Sequence, residues 1–149
     1  MAWAAAPTLT EILPRGAARG GEVTVDFHGA NLADACDLIF HDPGITLVEM
    51  TAEAGKAHAK LAIAPDCRVG THAIRVRTKT GLTNLRLFSV GALTEVDENE
   101  NENNDLAKAP LLTVGTTVNG QVTNEDADYF GFDLAAGDKF AAEVEAMRL

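Results

Sequence analysis

The strongest constraint on the fold is a run of short alternating segments, each closed by turn chemistry. In residues 22–28, Val23, Val25 and Phe27 fall on one side and Thr24, Asp26 and His28 on the other, the period of two that marks a half-buried strand. Gly29-Ala30-Asn31 breaks this run. Residues 38–40, 45–50 and 57–63 follow as further short runs, separated by Asp42-Pro43-Gly44 and Ala54-Gly55-Lys56. Residues 71–78, in which Ile74 and Val76 alternate with Arg75 and Arg77, then lead through Lys79-Thr80-Gly81 to a strand over 85–90. Pro14, Pro43 and Pro65 interrupt any long helix, and 33–36 has room for one helical turn at most. Regularly spaced short strands with turns between them predict an all-β sandwich or barrel.

Residues 97–105 break the pattern. They are rich in Asn and Glu and lack aromatic and β-branched residues, so they cannot bury a core. Charge divides at the same place. Residues 1–92 carry nine Lys or Arg and nine Asp or Glu, whereas 93–149 carry three and thirteen, so the whole net charge of −10 lies in the second part. The expected organisation is an N-terminal stretch 1–6, a sandwich over 7–92, an acidic linker 93–110 and a partial β-domain 111–149. In the last, 111–114, 116–122, 129–134 and 140–145 read as strands, with Asn119-Gly120 and Ala136-Gly137-Asp138 as hairpin-type turns. Four strands are few for a complete sandwich. A truncated one would leave some of Phe130, Phe132, Leu134, Phe140 and Val144 uncovered and prone to association.

Several function classes have little support. No cluster of Lys and Arg offers a footprint for nucleic acid, and no apolar run reaches about eighteen residues, so no membrane-inserting helix is expected. Ser89 is the sole serine and has no Gly-x-Ser-x-Gly turn. His28, His41, His58 and His72 lack zinc-site spacing. Cys36 and Cys67 have no histidine close in sequence to activate a thiol, and Glu143 with Glu145 would need a cleft to act as a glycosidase pair. No catalytic residue is expected. Ahead of Pro7, Met1-Ala2-Trp3-Ala4-Ala5-Ala6 has the alternating small residues that end a secretory signal; a plain disordered N-terminus is the alternative. In an exported protein Cys36 and Cys67 are expected to pair as a disulfide, the alternative being two buried free thiols.

Pro7-Thr8-Leu9 leading to Leu13-Pro14-Arg15-Gly16, Gly20-Gly21-Glu22-Val23-Thr24-Val25, Gly29-Ala30-Asn31-Leu32 and the strand from Gly70 to Thr78 together resemble the IPT/TIG family of immunoglobulin-like domains. That resemblance covers about 7–91 and implies an adhesive or spacer module without an active site. Glu100-Asn101-Glu102-Asn103-Asn104-Asp105, Ala107, Thr117-Val118-Asn119-Gly120, Asp126-Ala127-Asp128-Tyr129-Phe130-Gly131-Phe132 and Ala136-Gly137 resemble the first half of the bacterial pre-peptidase C-terminal domain, a β-sandwich of exported proteins. Asn103 departs from that family, which usually has proline there.

Glu100, Glu102, Asn104 and Asp105 place four oxygen-bearing side chains within six residues, and calcium takes about six to eight such ligands. Composition alone is also compatible with a solvated acidic linker. The second resemblance implies calcium bound by Glu100, Glu102, Asn104 and Asp105 together with Asp128 and Glu125, Asp126 being the rival for the last place. Carboxylates held together repel, so the tract should become ordered when calcium neutralises it, and calcium would then set the angle between the two domains. The expected function is a non-catalytic secreted, cell-surface or periplasmic module with a structural, adhesive or spacer role. Its partners would be other domains of a longer chain. The alternative is an accessory module of a secreted peptidase or other exported enzyme that binds extracellular polysaccharide or fibrous protein. A single Trp and a single Tyr make a sugar-stacking platform a poor fit.

Overall fold

A computed structural model describes residues 5–99, 103–121 and 127–145. The chain forms two compact units that divide between Ala92 and Leu93.

In the first unit, β1 (Thr8–Leu13), β3 (Glu22–Ala30), β6 (Lys56–Ile63) and β5 (Ile45–Glu53) form one antiparallel sheet in that order. The second sheet runs β2 (Gly16–Ala18), β8 (Arg86–Gly91), β7 (Gly70–Thr78) and β4 (Ala35–Phe40), with β2 parallel to β8 and the other pairs antiparallel. This is the strand order of an immunoglobulin-like sandwich, the first strand being split between the two sheets. The split falls at Pro14 and Arg15: the Leu13–Pro14 peptide is cis, and the Arg15 carbonyl accepts a hydrogen bond from Ser89 N at 2.8 Å.

Alternation decides which side chains enter the core. On β6, Ala57, Ala59, Leu61 and Ile63 are buried while Lys56, His58 and Lys60 face out. Val25 and Phe27 of β3, Ile74 and Val76 of β7, and Phe88 and Val90 of β8 meet them inside. Burying a side chain such as Phe27 contributes about 1.5–3 kcal/mol. Three ladders carry register shifts, in β1 at Leu9/Glu11, in β4 at Ala35/Asp37 and in β5 at Leu47/Glu49. All three strands are sheet edges, where a bulge twists the open backbone away from pairing with another chain.

Two details of this unit differ from the sequence expectation. Ala33 and Asp34 form a turn, not a helical one, and β4 starts directly after it. Asn31 takes the left-handed conformation (φ 59°) that lets the Gly29-Ala30-Asn31-Leu32 segment reverse, and its Nδ2 donates to the Ala6 carbonyl at 3.1 Å.

In the second unit, β9 (Thr94–Asp97) and β10 (Thr116–Asn119) pair in parallel, with Thr116 opposite Thr94 and Asn119 opposite Asp97. The 93–110 segment is therefore not a free linker: it supplies β9 and a single 3-10 turn, Leu106–Lys108, capped by Asp105. The alternating residues 129–134 and 140–145 form no extended ladder among the described residues. They make one bridge, between Leu111 and Gly131, because a strand exists only where a neighbour takes up its backbone groups, and Pro110 before the bridge has no N–H to continue it. The chain reverses at 135–138, where Asp138 Oδ2 accepts from Ala135 N at 2.8 Å, and the rings of Phe132 and Phe140 lie 4.6 Å apart. Leu134, Phe140 and Val144 of the expected apolar face are exposed.

Candidate functional site

The second unit is built around a polar residue. Asn103, 0% exposed, is its one fully buried residue among those described. Its Nδ2 donates to Glu98 Oε2 at 3.2 Å and to Asp128 Oδ1 at 2.8 Å, and its carbonyl accepts from Tyr129 N at 2.8 Å. Residues from the end of β9, from the acidic tract and from the segment before Tyr129 thus converge on one amide. Asn103 Oδ1 is buried without a hydrogen-bond partner, and such an orphaned acceptor costs about 1–3 kcal/mol. Glu98 is tied further: Oε1 accepts from Gln121 N, and its own N–H donates to the Asn119 carbonyl at 3.0 Å.

Close by, Asn119 Nδ2 donates to Glu95 Oε2 at 2.9 Å. Burial pushes the Glu95 carboxyl above its usual range and Asp97 adds to this, while the Asn119 bond opposes it.

Of the six expected calcium ligands, Glu100, Glu102 and Glu125 lie outside the described residues, as does Asp126. Asn104 and Asp105 are exposed, and Asp105 Oδ1 accepts from Ala107 N at 3.0 Å, capping the 3-10 turn. Asp128 is brought against Asn103, the residue before Asn104. No three acidic, histidine or cysteine side chains are grouped to hold a metal among the described residues. The donor chemistry nevertheless suits a hard cation: Glu98, Asp128 and the orphaned Asn103 amide oxygen are oxygen ligands gathered from three segments. Sequence reasoning missed Glu98 and Asn103. Glu98 continues the Glu-x-Glu alternation of Glu100 and Glu102 one step earlier, a signal that was present; burial of Asn103 within a polar tract had none.

The expected disulfide is not formed. Cys36 is an exposed free thiol and Cys67 a buried one. Cys36 Sγ donates to the Arg77 carbonyl at 3.5 Å, whereas Cys67 Sγ is 3.8 Å from His72 Nε2. Arg77 and His72 stand five residues apart on β7, roughly 16 Å along a strand, well beyond the reach of about 7 Å for a disulfide's Cα atoms.

A histidine does therefore neighbour Cys67, five residues on, where the loop after β6 folds back onto β7. It does not activate the thiol. His72, 2% exposed, directs Nε2 at the Arg68 carbonyl at 2.6 Å, so that nitrogen carries the hydrogen and cannot take one from sulfur. Nδ1, buried and without a hydrogen-bond partner, lies 3.8 Å from Asp42 Oδ2. Burial raises the Cys67 thiol above its usual value, outweighing the nearby Arg68 charge, the opposite of what a nucleophile needs.

The outer face of the first sheet carries an ion cluster in which Asp26 accepts from Lys56 Nζ at 2.7 Å and pairs with His58 Nδ1 at 2.5 Å. A hollow of about 410 Å³ at one end of this unit is lined by Gly20, Gly21, Gly44, Ile63 and Pro65 among others. Gly20 N, Ile63 N and Ala64 N at that hollow already donate to backbone carbonyls, leaving few polar groups to orient a substrate. The chain matches no protein-family model, and no curated protein matches it in sequence.

Proposed function

We propose that the protein is a non-catalytic extracellular β-module with a structural, adhesive or spacer role, and that calcium orders the start of its second unit. The observation carrying this reading is the convergence of Glu98 and Asp128 on the buried Asn103 amide. Carboxylates from two ends of a segment are held together there by one neutral donor, beside a tract whose side chains are oxygen ligands. Glu98, Asn104, Asp105 and Asp128 would hold the cation with Glu100, Glu102 and Glu125. Bound calcium would supply the positive charge that relieves repulsion among these acids. The absence of catalysis rests on the raised Cys67 thiol, the Nε2–H tautomer of His72 and a hollow poor in polar groups.

Hydrogen exchange of the chain in millimolar calcium and in EDTA tests the calcium reading. Calcium should slow exchange at Tyr129 and across 98–105, and EDTA should reverse this. Identical exchange in both conditions rejects it.

A further inference from the structure

Asn119–Gly120 is the chain's sole Asn-Gly pair, and the structure fixes both halves of it with carboxylates. Asn119 ends β10, and Gly120 follows it exposed and outside the strand. The side-chain amide of Asn119 donates to Glu95 Oε2 at 2.9 Å. Gly120 packs so closely on Glu98 that an added Cβ would lie 2.5 Å from Oε2. Any larger residue would displace Glu98 from Asn103 and Gln121. The pair is thus imposed by packing, although it is the least chemically stable sequence an asparagine can have.

That instability comes from the following glycine nitrogen, which no Cβ shields from the asparagine side chain. We propose that Asn119 is a self-modification site that converts to aspartate and isoaspartate and thereby opens the β9–β10 pair. Gly120 N attacks Asn119 Cγ; the new N–Cγ bond forms as the Cγ–Nδ2 bond breaks, and Nδ2 leaves as ammonia, taking up the proton lost from Gly120 N. Solvent water then opens the succinimide, its hydroxyl adding to one of the two ring carbonyls and its hydrogen returning to the nitrogen. Nothing is oxidised or reduced. Glu95 already contacts the departing nitrogen, and because burial and Asp97 raise its carboxyl, an acid is placed to protonate the leaving amine.

The product acts on the fold in two ways. A carboxylate at position 119 replaces the donor that Glu95 held and stands in register with Asp97, and like charges opposite one another destabilise a strand pair. The isoaspartate form also adds a carbon to the main chain, shifting the Asn119 carbonyl that accepts from Glu98 N. This inference goes beyond the calcium reading and does not depend on it.

The test is to age the purified chain in EDTA at mildly alkaline pH and map conversion by peptide mass with isoaspartate labelling. Asn119 should convert many-fold faster than Asn31 and Asn84, each followed by leucine, and Asn119→Gln should abolish conversion there. Asn119→Asp should show faster amide exchange in β9 and β10 with exchange in β3, β6 and β7 unchanged. Conversion at Asn119 no faster than at Asn84, or an Asn119→Asp variant whose β9 and β10 amides exchange like wild type, overturns the proposal.

Discussion

Gly44 lies against Cys67 with no space between them for a side chain: its φ is +104°, and a Cβ there would stand 2.7 Å from Sγ. Gly44→Ala should therefore lower the stability of the first unit by about 1–3 kcal/mol, combining left-handed strain with overpacking. Adding Cys67→Ala should recover the packing part and leave the backbone part. A double-mutant cycle by urea denaturation measures the two separately, and strict additivity would mean that the contact carries no energy.

Replacing Asn103 with Leu removes the donor shared by Glu98 and Asp128. The expected loss is about 1–3 kcal/mol in the second unit, from carboxylates left facing each other without a hydrogen bond. Exchange at the Tyr129 amide, which donates to the Asn103 carbonyl, should accelerate while β6 and β7 remain protected. An unchanged Tyr129 amide would show that the convergence on Asn103 is energetically idle.

Asp26 titrates below its ordinary value of 3.8: burial pushes it up, but hydrogen bonds and charge from Lys56 and His58 outweigh that. A carboxyl whose folded value is depressed contributes stability above its unfolded value and loses it as pH falls through the folded one. Asp26→Asn should thus cost the protein stability at neutral pH, about 0.5–1 kcal/mol given the partial exposure of all three groups. The difference from wild type should shrink as pH drops below that ordinary value. Melting temperatures of both proteins across acid pH check the sign, and a gap that widens on acidification contradicts the assignment.

The two thiols should be chemically distinct. A thiol-exchange reagent should modify exposed Cys36 at once and reach buried Cys67 only on unfolding, with no change of mass on reduction. Simultaneous fast labelling of both would show that the Gly44–Cys67 contact does not close the site.

The strands most legible in the sequence were those with an uninterrupted period of two: β3, β6, β7 and β8 each show their inward residues as every second position. β1 escaped this reading because its register shift at Leu9/Glu11 puts Leu9 and Ile12 on the same side three residues apart. β2 escaped because Gly16-Ala17-Ala18 has little strand preference and exists through its parallel pairing with β8. In the second unit, alternation over 129–134 marked exposed and covered positions but could not supply the neighbour that a ladder requires. At the site, Asp128 was readable from the Asp-Tyr-Phe sequence. Asn103 was not, since a buried amide in a polar tract looks like every solvated one, and the approach of His72 to Cys67 depends on a loop reversal that spacing does not announce.

That Asn103 is the one fully buried residue described in the second unit bears on how the two halves of the chain come apart. Heat capacity rises on unfolding with the apolar surface exposed and falls with the polar surface, and denaturant sensitivity scales with the total area released. The first unit, with Phe27, Leu61 and Phe88 inside, should carry nearly the whole calorimetric step. The second should melt with a shallow, almost thermally silent transition, responding to ions more than to heat.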